Sequence, residues 1–455
     1  MSSDPAADVG LLAPIWAGSA VERASGDLAY LRAMLDAEAG LARAEARVGL
    51  VPPAAAKLIT DCADSGRYDV RAIALRARDG GNPVIPLVDA LRAVVRDLDP
   101  DAARWVHHGA TSQDILDTAT MLVAGPVLDL AIADLRRAAA VAAGLADTHR
   151  RTLTVGRTLT QHAVPTTFGA KAAAWLTGLL DAGDRLRVVR RALPAQLGGA
   201  AGTLAALQGD GIAVVEAYAA ECGLVAPTAP WHTVRTPVAE LASALALAVG
   251  ACGKVALDVT LLAQTEVGEV AEGEGGGSST MPHKRNPVRA TLVVAAARQA
   301  PALASTLYGA LLAEHERPAG AWHAEWRPLR ELLRLAGGTI AVTGDLLEGL
   351  RVDPDAMRAN LDLTGGLVAA ERVALALAAE WGREPAQQVV REASLRAAEQ
   401  RRPLQDILGE RPDVTRLLDA ETLDALCDPA GHLGSAEAIV DRVLDRYRRI
   451  EPERG

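Results

Sequence analysis

The residue types best suited to chemistry in this chain are concentrated in one stretch, 275–287, which reads Gly-Gly-Gly-Ser-Ser-Thr-Met-Pro-His-Lys-Arg-Asn-Pro. Three successive glycines permit a backbone that opens and closes, two hydroxyls follow at Ser278 and Ser279, and Lys284 and Asn286 come soon after. A segment of this kind is suited to close over an anion. Backbone amides and an ammonium beside a serine hydroxyl stabilise its alkoxide, so Ser278 is a candidate to give or take a proton at carbon. The competing reading is an ordinary Gly/Ser linker. A phosphate loop is excluded, because no Gly-Lys-Ser/Thr occurs in the stretch.

A substrate carrying two or three carboxylates needs fixed cations and hydroxyl or amide donors, and Lys284, Asn286, Arg235, Thr111, Ser112 and Gln161 supply them. Each also has a plain structural reading. For Arg235 the competing reading is a salt bridge in a helical bundle, and for Thr111 or Ser112 a helix N-cap. An N-cap position does not exclude function, since a helix N-terminus attracts a carboxylate. His149, His315, His323 and His432 show no metal-ligand spacing, so no metal site is predicted.

The elements that must position these residues are helices. Leu241, Leu245, Ala248, Cys252, Val255, Val259 and Leu262 alternate in steps of four and three, which predicts a long helix from Pro237 to about Gly268. Leu128, Ile132, Leu135, Ala139 and Ala142 repeat that spacing within 112–148, with Pro126 as a kink. Further apolar-periodic stretches run over about 165–192, 287–313 and 328–350. Before them lie shorter helices near 28–48 and 84–98, and after Val352-Asp353-Pro354 the pattern resumes with shorter helices. The expected architecture is all-α in three helical domains: 1–108, a central long-helix bundle over 109–352 carrying a loop at 272–287, and 353–455. No Gly-x-Gly-x-x-Gly follows a predicted strand, which disfavours a Rossmann domain.

Composition agrees and narrows the function classes. Half of the 455 residues are hydrophobic but only 3% are aromatic, so the apolar mass is Ala, Leu and Val, which fill close helix contacts. The formal charge of −10 is spread along the chain without a basic block, which argues against nucleic acid or a membrane surface as partner. Cys62, Cys222, Cys252 and Cys427 form no CxxC pair, in keeping with a reducing compartment. The first residues do not read as a signal peptide, and the apolar run 241–253 is too short to span a bilayer. The expectation is a cytoplasmic protein.

The stretch GGSSTMPHKRNP resembles the GSSxMPxKxN signature of the fumarase/aspartase superfamily. WVHHGATSQD at 105–114 is similar to that family's first substrate-binding region and GRTLTQHA at 156–163 to its second. QLGGAAGT at 196–203 and WHTVR at 231–235 resemble stretches shared by adenylosuccinate lyases and bacterial carboxymuconate cycloisomerases. The resemblance implies a homotetramer with a twenty-helix core, active sites shared by three subunits, and no cofactor. It implies a carbanion of aci-carboxylate character with Ser278 in proton transfer, and Ser279, Lys284, Asn286 and Arg317 among the substrate-binding residues. His107 is expected to line the site, and His162 to act in acid–base chemistry or to orient the substrate. His232 and His283 are weaker candidates.

Two departures from the family pattern refine this expectation. Lyases of the superfamily read RTHxQ in the second region, where this chain has Leu159 at the histidine position, and Leu cannot move a proton. Bacterial cycloisomerases resemble this chain in placing an apolar residue there, followed by Gln161-His162-Ala163. The stretch 314–326 carries Ala321-Trp322 and Trp326 where adenylosuccinate lyases look to hold serines and an arginine for a phosphate, which implies a smaller, non-nucleotide pocket. The resemblance therefore points to lactonisation of 3-carboxy-cis,cis-muconate to 4-carboxymuconolactone, in protocatechuate catabolism. The alternatives are a fumarate-releasing lyase acting on a substituted succinate, and a helical scaffold without chemistry.

Overall fold

The computed structural model describes residues 9–273, 276–277, 281 and 284–450. Its framework is helical. The elements that matter for the site are α1 (Asp27–Val48), α2 (Ser112–Thr148), α3 (Phe168–Ala192), α4 (Thr236–Leu262), α5 (Val288–Gly309), α6 (Ala321–Glu348) and α7 (Pro354–Asp362). Three antiparallel strand pairs join them: β1 (Leu153–Thr158) with β2 (Gln161–Thr167), β3 (Val270–Glu272) with β6 (Leu350–Val352), and β4 (Gly276–Gly277) with β5 (Arg285–Asn286).

The heptad seam decides where α4 lies. Leu241, Leu245, Ala248, Cys252, Val255 and Val259 are all fully buried and Leu262 nearly so, each buried Leu or Val contributing about 1.5–3 kcal/mol. The opposite face of α4 exposes Leu247, Leu257 and Leu261. By length and composition α2 and α4 are apolar enough to cross a membrane, but their seams are buried within the protein. Pro126 sits inside α2 without ending it. The last helices of the bundle also match their expected ranges, except that α6 begins earlier than residue 328 because Pro328 is accommodated inside it.

The described chain forms two compact units, and each of the five long helices α2–α6 is divided between them: 1–136, 181–253 and 292–342 in the first, 137–180, 254–291 and 343–455 in the second. In the first, the core gathers α1 and the helices Pro53–Cys62, Val84–Leu98 and Gly211–Cys222 around Leu35, Leu41, Leu87, Leu91 and Tyr218. A Cβ at Gly253 would lie 2.5 Å from the Cβ of Ala297, so α4 and α5 approach each other there only with glycine. In the second unit, Trp175 of α3 donates to Asp258 of α4 at 2.7 Å and Arg137 of α2 pairs with Asp345 of α6 at 2.8 Å. Its C-terminal part has a separate core that includes Val373, Leu377, Leu404, Ile407 and Leu408.

The β1–β2 hairpin departs from the sequence expectation, which placed no strands there. A register shift between Val155 and Arg157 and a proline at position 165 break the alternation that marks a strand in sequence.

Candidate active site

The first unit places Thr111 and Ser112 at the start of α2, a helix of 37 residues. Asp114, fully buried, accepts from the backbone amides of Thr111 (2.9 Å), Gly198 (2.8 Å) and Gly199 (3.0 Å), and bonds the Nε2 of His232 at 2.6 Å. One carboxylate thus fixes the N-terminus of α2 against the Gly198-Gly199 turn. It also holds buried His232 through Nε2. Arg317 donates from Nη1 to the Thr111 hydroxyl at 2.7 Å and from Nη2 to the carbonyl of Ala200 at 3.2 Å. Two candidates, Thr111 and Arg317, are therefore brought together beside half-buried Ser112, where the helix dipole favours an anion.

The loop entering α2 carries two adjacent imidazoles, each held by a buried carboxylate of α1. His107 Nδ1 lies 2.6 Å from Glu38 and His108 Nδ1 lies 2.7 Å from Glu45. The two pairs are electrostatically unlike. Burial opposes a charge on His107, but the Glu38 carboxylate and its hydrogen bond outweigh that and hold the ring above the usual histidine range. Burial lowers His108 and, with the Glu38 charge added, pushes Glu45 up to about 8. The distance alone reads as an ion pair in both cases; for His108 and Glu45 the shifts mark a neutral hydrogen-bonded pair.

Arg235 is a correction to the sequence expectation of a substrate ligand. It is 2% exposed, and its five N–H donors are taken by Asp117, Glu325 and the carbonyl of Trp231. Trp322 donates to the same Asp117 at 3.0 Å. The guanidinium that the sequence offered to a substrate is instead the hub of a buried ion-pair network.

The second unit carries the β1–β2 hairpin. Its two-residue turn is Leu159-Thr160, at φ 50° and 68°, a conformation that β-branched and bulky residues adopt only under strain. Leu159 is 97% exposed and Gln161 is exposed beside it. His162 faces Arg157 across the hairpin, and its Nδ1 is buried without a hydrogen-bond partner among the described residues. Burial and then the Arg157 charge lower its pKa, so the ring is neutral near pH 7. Arg157 makes a two-pronged pair with the fully buried Glu269, at 2.6 and 3.1 Å, and Asn360 of α7 donates to the same carboxylate at 2.9 Å. The arginine and Asn360 thus share one buried carboxylate, which ties β1 to α7.

Strands β4 and β5 pair Gly276 with Asn286 and Gly277 with Arg285, closing the base of the glycine–serine segment. Lys284 is exposed there and Asn286 half-buried. Glu272 accepts from the amides of Arg289 and Ala290, capping α5 directly after the segment. Ser278, Ser279 and His283 lie outside the described residues.

Sequence reasoning passed over Glu38, Glu45 and His108. A signal was present: on α1 the core-facing positions run Leu31, Met34, Leu35, Glu38, Leu41, Ala42, Glu45, all buried. Two acids on an apolar stripe imply buried partners.

Comparison with known proteins gives a consistent setting. The chain matches the family described as Lyase over residues 19–301 and the Adenylosuccinate lyase C-terminus over 366–443. It is 52% identical to the nitrosuccinate lyase of Streptomyces davaonensis over 98% of this chain and 97% of that protein. It is 48% identical to a 3-carboxy-cis,cis-muconate cycloisomerase of Bradyrhizobium diazoefficiens over 96% and 98%. The crystal structure of the 3-carboxy-cis,cis-muconate lactonizing enzyme of Pseudomonas putida superposes with a TM-score of 0.89 at 44% identity, covering 94% of this chain and 97% of that one.

Proposed function

We infer the reaction from a premise now in place: the chain belongs to the fumarase/aspartase superfamily of lyases. We propose that it adds or removes a weakly basic anion across a carbon–carbon bond next to a carboxylate, and that its reaction is the cyclisation of 3-carboxy-cis,cis-muconate to 4-carboxymuconolactone. The observation that carries this reading is Leu159, apolar and solvent-exposed at the hairpin turn. Expelling an amine or hydroxide demands a proton at the leaving atom. A carboxylate, whose conjugate acid has a pKa of about 4, leaves or attacks without one.

In the forward direction one substrate carboxylate oxygen forms a bond to a diene carbon, electron density moves toward the remaining carboxylates, and a proton is delivered to the neighbouring carbon. Ser278 is the proton-transfer residue proposed by motif, with Ser279, Lys284, Asn286, Thr111, Ser112, Gln161 and Arg317 holding the carboxylates, and His162 orienting the substrate. Relatives bearing the cycloisomerase name over nearly the whole chain support the substrate.

A second reading has its own observation. Nitrosuccinate lyase is the name of a relative at 52% identity, and nitrite, like a carboxylate, is an anion that leaves without protonation. On nitrosuccinate the base takes the C–H proton, the C–N pair departs with nitrite, and fumarate forms. One experiment separates the two: purified protein is given each substrate, with loss of muconate ultraviolet absorbance and appearance of nitrite as readouts. Muconate loss without nitrite release supports the cycloisomerase, the reverse supports the lyase, and neither at high enzyme concentration rejects the reaction class.

We also propose a cytoplasmic homotetramer whose active sites draw on three subunits, with 1–108, 109–352 and 353–455 as its domains. The apolar stripe Leu247, Leu257 and Leu261 on the outer face of α4 supports self-association.

A further inference from the structure

We propose that Glu38 is a positioning residue that keeps His107 a cation, with its Nε2–H offered to a substrate carboxylate. The inference rests on the polycarboxylate reading given above and adds to it Glu38, a carboxylate outside the signature motifs that sets the charge of His107 within one of them. Four observations carry it. Glu38 is buried on the core-facing stripe of α1, and its contact with His107 uses Nδ1 at 2.6 Å. Nε2 then remains as the only other polar atom of the ring, without a hydrogen-bond partner among the described residues. His107 is held at φ 61°, followed by Gly109 at φ 67°, so the backbone is locked in a conformation that costs about 1–3 kcal/mol at a non-glycine residue. A Cβ at Gly109 would meet the Leu207 side chain at 2.4 Å, so the loop packs closely there and glycine suits both the space and the positive φ. That loop runs directly into Thr111 and Ser112 at the N-terminus of α2.

The groups facing the ring are Glu38 of α1, Asp114 of α2 and Arg92 of the helix Val84–Leu98, of which only Arg92 opposes a positive charge. Arg92 is partly committed elsewhere, donating to the carbonyl of Val106 at 3.2 Å. The neighbouring pair provides an internal contrast: the same kind of contact, between His108 and Glu45, leaves a neutral pair because no second carboxylate supports the ring and burial dominates. His107 is thus the one member of the double imidazole that can answer an anion by charge.

The test compares the parent with Glu38→Gln, which keeps an acceptor at the same reach and removes the charge. The imidazoles are followed by NMR of protein labelled with 13C at histidine Cε1, His107 being assigned from His107→Gln. Binding of propane-1,2,3-tricarboxylate, a saturated anion that cannot react, is measured by calorimetry from pH 5.5 to 9. The His107 titration in Glu38→Gln is expected to fall by about one unit or more. Tricarboxylate affinity near pH 7.5 is expected to fall about tenfold, with parent-like affinity recovered below pH 6. A His107 titration unmoved by Glu38→Gln overturns the proposal, as does a lowered titration with unchanged affinity. Should the variant be unfolded, His107→Gln decides by the same calorimetry: unaltered affinity at pH 6 overturns the idea. If the parent itself binds no tricarboxylate, the polycarboxylate reading fails and this proposal with it, whereas an unmoved titration on a parent that does bind sinks the Glu38 role alone.

Discussion

Replacing Glu45 by Gln should make the protein more stable as pH rises, by an amount the structure sets. The Glu45 side chain is fully buried and bonded to His108 at 2.7 Å. Burial, and then the charge of Glu38, raise its pKa from 4.5 to about 8. In the unfolded chain the carboxyl ionises near 4.5, so above that pH the unfolded state has lost a proton that the folded state still holds. A raised folded-state pKa means that this stability is fully present below the unfolded value and is lost as pH climbs toward the folded one, at about 1.4 kcal/mol per pH unit. Between pH 5.5 and 8 the parent should lose about 3 kcal/mol from this group alone. The amide cannot ionise, retains the volume, and can still bond His108. With an unfolding entropy of about 2.1 cal/mol/K per residue, a chain of this length shifts by about 1 °C per kcal/mol. The Tm of Glu45→Gln minus that of the parent should therefore widen by about 3 °C from pH 5.5 to 8, in calorimetric scans at matched ionic strength. A difference that stays constant or narrows with pH would show that Glu45 is ionised in the folded protein.

Three other outcomes are expected. Arg235→Met should cost about 3–5 kcal/mol of stability, seen in denaturant unfolding, because Asp117 and Glu325 would be left buried without their cation; a folded variant with parent stability and a raised KM would instead restore Arg235 to the substrate site. Leu159→His should leave kcat within about threefold of the parent on whichever substrate is turned over, since an anion of a weak acid needs no proton to depart. A large gain would show that proton delivery there limits the rate. Ser278→Ala should lower kcat by about 10²–10⁴-fold with little change in Tm, and an unchanged kcat removes Ser278 from the mechanism.

Much of this was legible in the sequence because it depends on local pattern. The seam from Leu241 to Leu262 specifies α4, since burying every third or fourth side chain admits only a helix. The runs at 275–287, 105–114 and 156–163 resemble the motifs of one superfamily, and the family match and the relatives bear that membership out. Tertiary structure decided what depends on partners distant in sequence. The sequence left Arg235 open between a substrate cation and a bundle salt bridge, and only the fold shows Asp117 and Glu325, 118 and 90 residues away, claiming it. His107 and His108 are identical as residue types, yet the pKa of one is raised and that of the other lowered, because an imidazole's affinity for its proton is set by burial and by the carboxylates folded against it. The order of residues fixes which groups exist; only the packed chain fixes which of them keep a charge to spare for a ligand.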